Sequence, residues 1–119
     1  MVTTPEGRVK KGVRELLSGY QGLYQYWPVP SGYGRKTIDV LGCFRGHFFG
    51  IETKADMGVP THYQRITLGE IREAQGQIFV IREEGAAHLA PLKAWLDKID
   101  REHPYDPHLA PAPSGHHPV

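Results

Sequence analysis

A chain of 119 residues with a net charge of +1, 39% hydrophobic and 23% charged, has the balance of one globular domain and lacks the strong basic surplus of a protein that coats nucleic acid. A single cysteine, Cys43, excludes an intramolecular disulfide and a cysteine-clustered zinc site, and it lies where a small core residue is expected. No apolar run approaches the roughly 20 residues of a membrane-spanning helix, and the N-terminus lacks the basic-then-apolar order of a signal peptide, so an intracellular, cytoplasmic protein without membrane association is expected.

Thr4-Pro5-Glu6 predicts a helix start, with a hydroxyl cap, proline in the first turn and an acid at the positive helix end. The helix should run to about Ser18-Gly19, with Val9, Val13, Leu16 and Leu17 as its apolar stripe. Glu6 stands on the edge of that stripe, where it either serves the helix dipole or is a functional acid aimed toward the core side; Glu15 is the alternative. Arg8, Lys10, Lys11 and Arg14 crowd the same helix, either as phosphate contacts or as a solvated face. Leu23 to Val29 is aromatic-rich and extended, and Pro28 and Pro30 suit it to a sheet edge. Its Tyr24, Tyr26 and Trp27 are expected in the core or an interface rather than as base-stacking groups.

The segment Thr37 to Lys54 reads as two strands joined at Arg45-Gly46, because Ile, Val, Phe and Thr favour strands and the glycine permits a tight turn. With a two-residue turn, Phe44 faces His47, Val40 faces Ile51 and Asp39 faces Glu52. Opposed positions hold their Cβ atoms roughly 4.5–5.5 Å apart and like charges there repel, so a bound divalent cation is a reason to keep the two acids together. Glu52 and Lys54 project from one face and Thr53 from the other. Two carboxylates with an ammonium one step along suit phosphodiester hydrolysis: the acids hold a hard cation, and the lysine meets charge developing on the phosphate. Ile38, Val40, Phe44, Phe49 and Ile51 should form one apolar face, with Leu41, Cys43 and Phe48 on the face of the acids, so helices should cover both sides.

Asp56, in the loop that follows, reads as a turn residue before an extra carboxylate. The next helix should run from Thr61 to a C-cap at Gly76, with Thr61 and Gln64 at capping-box spacing. A strand from Gln77 to Arg82 follows, then a short strand around Ala87 to Leu89 and a helix from about Pro91 to Ile99 carrying Leu92, Trp95, Leu96 and Ile99. After Arg101 the chain turns rich in Pro and His, so residues 102–119 are expected to be a disordered tail, with no ligand-spaced set among His103, His108, His116 and His117.

Asp39 followed by Glu52-Thr53-Lys54 resembles the PD-(D/E)XK nuclease superfamily, in which an Asp precedes a Glu-x-Lys triplet on the next strand. Within it the chain is most similar to the VRR-NUC domain, found alone in phages and fused to larger repair enzymes. GYGRKTID, FGIETK, PTHYQ and the Gly76 before IFVI all follow that family's order, over roughly Glu6 to Ile99. Thr53 is smaller and more polar than the aliphatic residue usual at its position.

The resemblance implies an α/β, restriction-endonuclease-like core with a mixed central sheet flanked by helices, occupying residues 1–101. It implies a Mg²⁺- or Mn²⁺-dependent deoxyribonuclease, an endonuclease that leaves 5′-phosphate ends and acts in replication, repair or recombination on branched, flap, junction or single-stranded DNA. A phage-encoded member would work in the host cytoplasm. Asp39, Glu52 and Glu6 would bind metal with the Thr53 carbonyl, Lys54 would position or activate, and Gln64 would assist. Tyr33, Arg35 and Lys36 before Asp39, with Lys10 and Lys11, are the candidate DNA contacts. A domain this small covers little DNA, which favours a homodimer. The alternatives are an inactive nuclease-fold module that recruits or recognises DNA and an assembly component with solvent-facing acids. The complete Asp39, Glu52, Lys54 set argues against the first, and stabilisation by a divalent cation separates the readings, since solvent-facing acids should give almost none.

Overall fold

Thr4 is extended and its Oγ1 accepts from the Gly7 N–H at 3.0 Å, which with Pro5 starts α1 (Pro5–Ser18) as its spacing predicts. The computed structural model describes residues 4–29, 37–55, 58–83 and 86–109. After α1 come β1 (Leu23–Tyr26), β2 (Val40–Phe44), β3 (His47–Thr53), α2 (His62–Glu73), β4 (Gln77–Ile81), α3 (Ala86–Glu102) and a 3-10 turn at Pro107–Leu109. The strands form one sheet in the order β1-β2-β3-β4. β1, β2 and β3 pair antiparallel, and β4 returns through α2 to lie parallel to β3, so the sheet is mixed.

At the β2–β3 turn Arg45 has φ 49 and Gly46 φ 82, and this doubly left-handed turn matches the twist of the flanking strands. It sets Phe44 opposite His47 and Val40 opposite Ile51, the predicted register. Alternation then divides the core. Val9, Val13 and Leu17 of α1 and Leu92, Leu96 and Ile99 of α3 pack on Val40, Phe44, Phe49, Ile51 and Ile81. On the opposite face Leu68 and Ile71 of α2 cover Ile38, with Leu41, Ile78 and Val80 beside them.

Ile38 is thus not on the face of Val40, where strict alternation put it. β2 begins at Val40 and the chain bends at Asp39, so the period-two rule stops one residue short. Gly50 accommodates the crossing: a Cβ there would lie 2.6 Å from Ile38 Cδ1 and 2.7 Å from Ile71 Cδ1. Downstream, the strand expected at Ala87–Leu89 is the first part of α3, which contains Pro91 rather than starting at it. Leu89 packs on the α1 side of the core and extends the helical spacing of Leu92, Leu96 and Ile99 backward. α2 ends at Glu73, and Gln75 rather than Gly76 takes the left-handed position, at φ 70. Gly76 N–H donates to Ile71 O and Gln75 N–H to Arg72 O, which closes the helix end without a glycine at that position.

α3 ends at Glu102, one residue past the boundary expected at Arg101, and His103 and Tyr105 beyond it are held by Arg45. Arg45, 11% exposed, donates to His103 O at 2.8 Å, Gln21 O at 2.8 Å and Asp100 Oδ1 at 2.9 Å, and its guanidinium lies over Phe44 and Tyr105. Composition missed this because a single arginine, not an apolar face, makes the attachment. Residues 110–119 of the expected tail lie outside the described residues. Arg45→Ala should therefore lower stability by about 2 kcal/mol, read from the urea midpoint, since it removes three hydrogen bonds and the packing over Phe44 and Tyr105. Arg45→Gly relieves the left-handed backbone and should recover only about 1 kcal/mol of that. Deleting residues 103–119 should also lower the midpoint. An unchanged midpoint in that truncation would show the contact to be idle.

Candidate metal centre

Glu52, Thr53 and Lys54 lie at the end of β3, where β4 flanks one side and the bend at Asp39 the other. The ladder pairs Thr53 with Ile81, and one residue on the Lys54 N–H donates to Ile81 O at 2.8 Å, which holds the backbone of all three. On the other side β2 has not yet begun, and the Asp39 side chain takes the place of a ladder acceptor. Its Oδ2 accepts from the Thr53 N–H at 2.8 Å and from Thr53 Oγ1 at 2.6 Å. In return the Asp39 N–H donates to Glu52 Oε1 at 3.1 Å. The expected opposition of the two acids is made by this reciprocal pair of contacts.

Two carboxylate oxygens are left over. Glu52 is 1% exposed, and its Oε2 has no aligned hydrogen bond, only the Lys54 ammonium at 3.2 Å. Burial, and then the charge and hydrogen bond of Asp39, push the Glu52 carboxyl up to about 7, against the lowering effect of Lys54. Asp39 Oδ1 faces the Lys10 ammonium at 3.6 Å. Each acid thus has one oxygen locked by the backbone or its neighbour and one turned to a lysine.

The remaining candidates fall in different places. Gln64 completes the capping box: its Oε1 accepts from the Thr61 N–H at 2.8 Å, and the Gln64 N–H donates to Thr61 Oγ1 at 3.2 Å. Its carbonyl oxygen is thus turned to its own helix end. Thr53 is fully buried; its N–H points to Asp39, and because a strand residue projects N–H and C=O toward one edge, its carbonyl faces that edge too. Glu6 lies one turn before Lys10 on α1, but among the described residues no third His, Cys, Asp or Glu joins Asp39 and Glu52 in a ligand cluster. Lys11 is exposed and pairs with Glu15 at 4.0 Å. Tyr33, Arg35, Lys36 and Asp56 lie outside the described residues. Sequence reasoning placed Lys10 among DNA contacts and missed its seat at the acids. No local signal gives this seat, because it depends on how α1 docks across the core.

This donor set fits a hard divalent cation. It offers carboxylate oxygens from two residues, one of them buried without a hydrogen bond, with a backbone carbonyl on the same edge. A cation there would relieve the repulsion that raises the Glu52 carboxyl.

No family model matches the chain, and no curated protein does. Among solved structures, a chain described as "VRR_NUC domain" matches with a TM-score of 0.57, over 87% of this chain and 100% of its own, at 24% sequence identity. At that identity the likeness establishes the fold alone: the mixed four-stranded sheet and three α-helices of the described residues are consistent with the restriction-endonuclease-like architecture of a VRR_NUC domain.

Proposed function

On this fold, we propose that the protein is a divalent-cation-dependent endonuclease that hydrolyses DNA phosphodiester bonds. The observation that carries this is the meeting of Asp39 and Glu52 around an unbonded buried oxygen, with Lys54 at 3.2 Å. Asp39 Oδ1 and Glu52 would hold Mg²⁺ or Mn²⁺, with the Thr53 carbonyl and Glu6 as further candidate ligands. When bound, such a cation supplies a polarised phosphate and a water acidic enough to attack at neutral pH. Thr53 keeps Asp39 aimed through two hydrogen bonds. Lys54, 17% exposed and fixed through its own backbone, presents its ammonium where negative charge grows on the phosphate, and the cut leaves a 5′-phosphate.

Tyr24 and Tyr26 point to the same sheet face as Glu52 and are more than half exposed, and Tyr26 pairs with Leu41, two residues from Asp39. Aromatic faces stack on unpaired bases, which favours branched, flapped or single-stranded DNA. A small domain gains reach on such substrates as a homodimer. Lys11, Tyr33, Arg35 and Lys36 remain candidate DNA contacts, and Gln64 an accessory once its cap opens.

The test is a cleavage panel of linear, nicked, flap, single-stranded and four-way-junction DNA with Mg²⁺, Mn²⁺ or chelator. Cation-dependent cutting is expected, strongest where bases are unpaired. Binding without cutting under every condition would instead make the protein a recognition module.

A further inference from the structure

Two lysines from different elements reach the acid pair, but they are not equivalent. Lys54 belongs to the strand that carries Glu52, and its N–H is tied to Ile81 O. Lys10 comes from α1, is 39% exposed, and among the described residues pairs with the oxygen of Asp39 that Thr53 leaves over. That oxygen is the one a cation needs. An arriving cation repels both ammonium groups, and Lys10, more exposed and farther from its carboxylate oxygen than Lys54, is the one that yields. An exposed lysine stem on a helix can swing away cheaply, and a strand of DNA at the cation would bring phosphates within its reach.

We propose that Lys10 is an exchangeable counter-ion of this centre. In the cation-free protein it neutralises Asp39 Oδ1, and in the loaded protein it gives up that oxygen and holds a DNA phosphate. The inference rests on the cation-binding role proposed for Asp39 and Glu52. It gives Lys10 a signature that neither a plain surface lysine nor a plain DNA contact shares: its removal should strengthen cation binding and weaken DNA binding.

Calorimetric titration with Mn²⁺ of the wild type, Lys10→Ala, Lys10→Gln and the charge-matched control Lys98→Ala reads the first effect. Both Lys10 variants should bind Mn²⁺ about two- to five-fold tighter, the range expected for losing one partly exposed ion pair, while Lys98→Ala stays at the wild-type value. Binding of a fluorescent single-stranded oligonucleotide in Ca²⁺ reads the second. The Lys10 variants should bind it several-fold more weakly, with a log–log salt slope reduced by about 0.7, one phosphate contact. Mn²⁺ affinity in Lys10→Ala and Lys10→Gln that is unchanged or weakened, or DNA affinity that is unchanged, overturns the proposal. A wild type that binds no Mn²⁺ at all overturns instead the metal-centre assignment on which it rests, and the two failures are told apart by that first titration.

Discussion

Glu52→Gln is expected to end cation-dependent cleavage, by at least about a hundredfold, while making the cation-free protein more stable at pH 8. Both effects come from one buried oxygen. The folded protein holds the Glu52 carboxyl at about 7 against an ordinary value of 4.5, first through burial and then through Asp39. Between those two pH values the unfolded chain has released a proton that the folded chain keeps. The folded state therefore binds more protons, and stability falls as pH rises through that window, by about 3 kcal/mol once pH exceeds the folded value. Gln keeps the shape and cannot ionise, so this loss should vanish. Urea unfolding in chelator at pH 5 and pH 8 checks it: the wild type should weaken at the higher pH, and the variant should not. Added Mn²⁺ should restore the wild type most at pH 8, where Glu52 is ionised, and leave the variant unmoved. Equal pH dependence in the two proteins, or cleavage by the variant at the wild-type rate, would remove Glu52 from the centre.

The companion substitution must be chosen from the hydrogen bonds. Asp39→Ala would strand the Thr53 N–H and hydroxyl, a loss of about 1–3 kcal/mol for each group, so inactivity in that variant could reflect a loosened strand end. Asp39→Asn can still accept both through its carbonyl while placing an amide where Lys10 or a cation sits. It should fold like the wild type and fail to cleave.

The hairpin was legible because two local rules agree on it. Strand-forming runs of suitable length flank a dipeptide that closes in two residues, and that count alone sets Val40 against Ile51 and Asp39 next to Glu52. What escaped was nonlocal or broke a period. Ile38 left its expected face because the strand had not started, and α3 began early because Leu89 finds α1 across the core. Pro91 and the alanines before it gave no local sign of that contact. Arg45 is the clearest case: its turn position follows from the flanking strands, yet nothing near it in sequence says that its guanidinium reaches His103. The site divides the same way. Glu52, Thr53 and Lys54 share one strand and Asp39 its hairpin partner, so spacing alone brings them together, whereas Lys10 arrives from a separate helix whose docking only the packed core defines.

Lys54→Ala should lower the cleavage rate by about 10²–10³ while leaving a protein that still binds Mn²⁺. The structure adds a complication. Lys54 lies 3.2 Å from Glu52 Oε2 and lowers the proton affinity of that carboxyl, so removing the ammonium should raise it further. Near pH 7 the variant would then bind Mn²⁺ more weakly simply because Glu52 holds its proton, an effect that mimics a lost ligand. Raising the pH separates the two roles. At pH 9 Glu52 should be ionised with or without Lys54, so Mn²⁺ affinity measured by calorimetry should return to near the wild-type value. The rate should not return, because the charge that grows on the phosphate still lacks its ammonium. Lys54→Arg is the second control: its guanidinium restores the charge beside Glu52, and so the affinity at pH 7, but its planar fork does not place a compact charge at the phosphate, so the rate should stay low. If Lys54→Ala at pH 9 instead cleaves as fast as the wild type at the same pH, Lys54 acts only by keeping Glu52 ionised, and the group that meets the phosphate must be sought elsewhere.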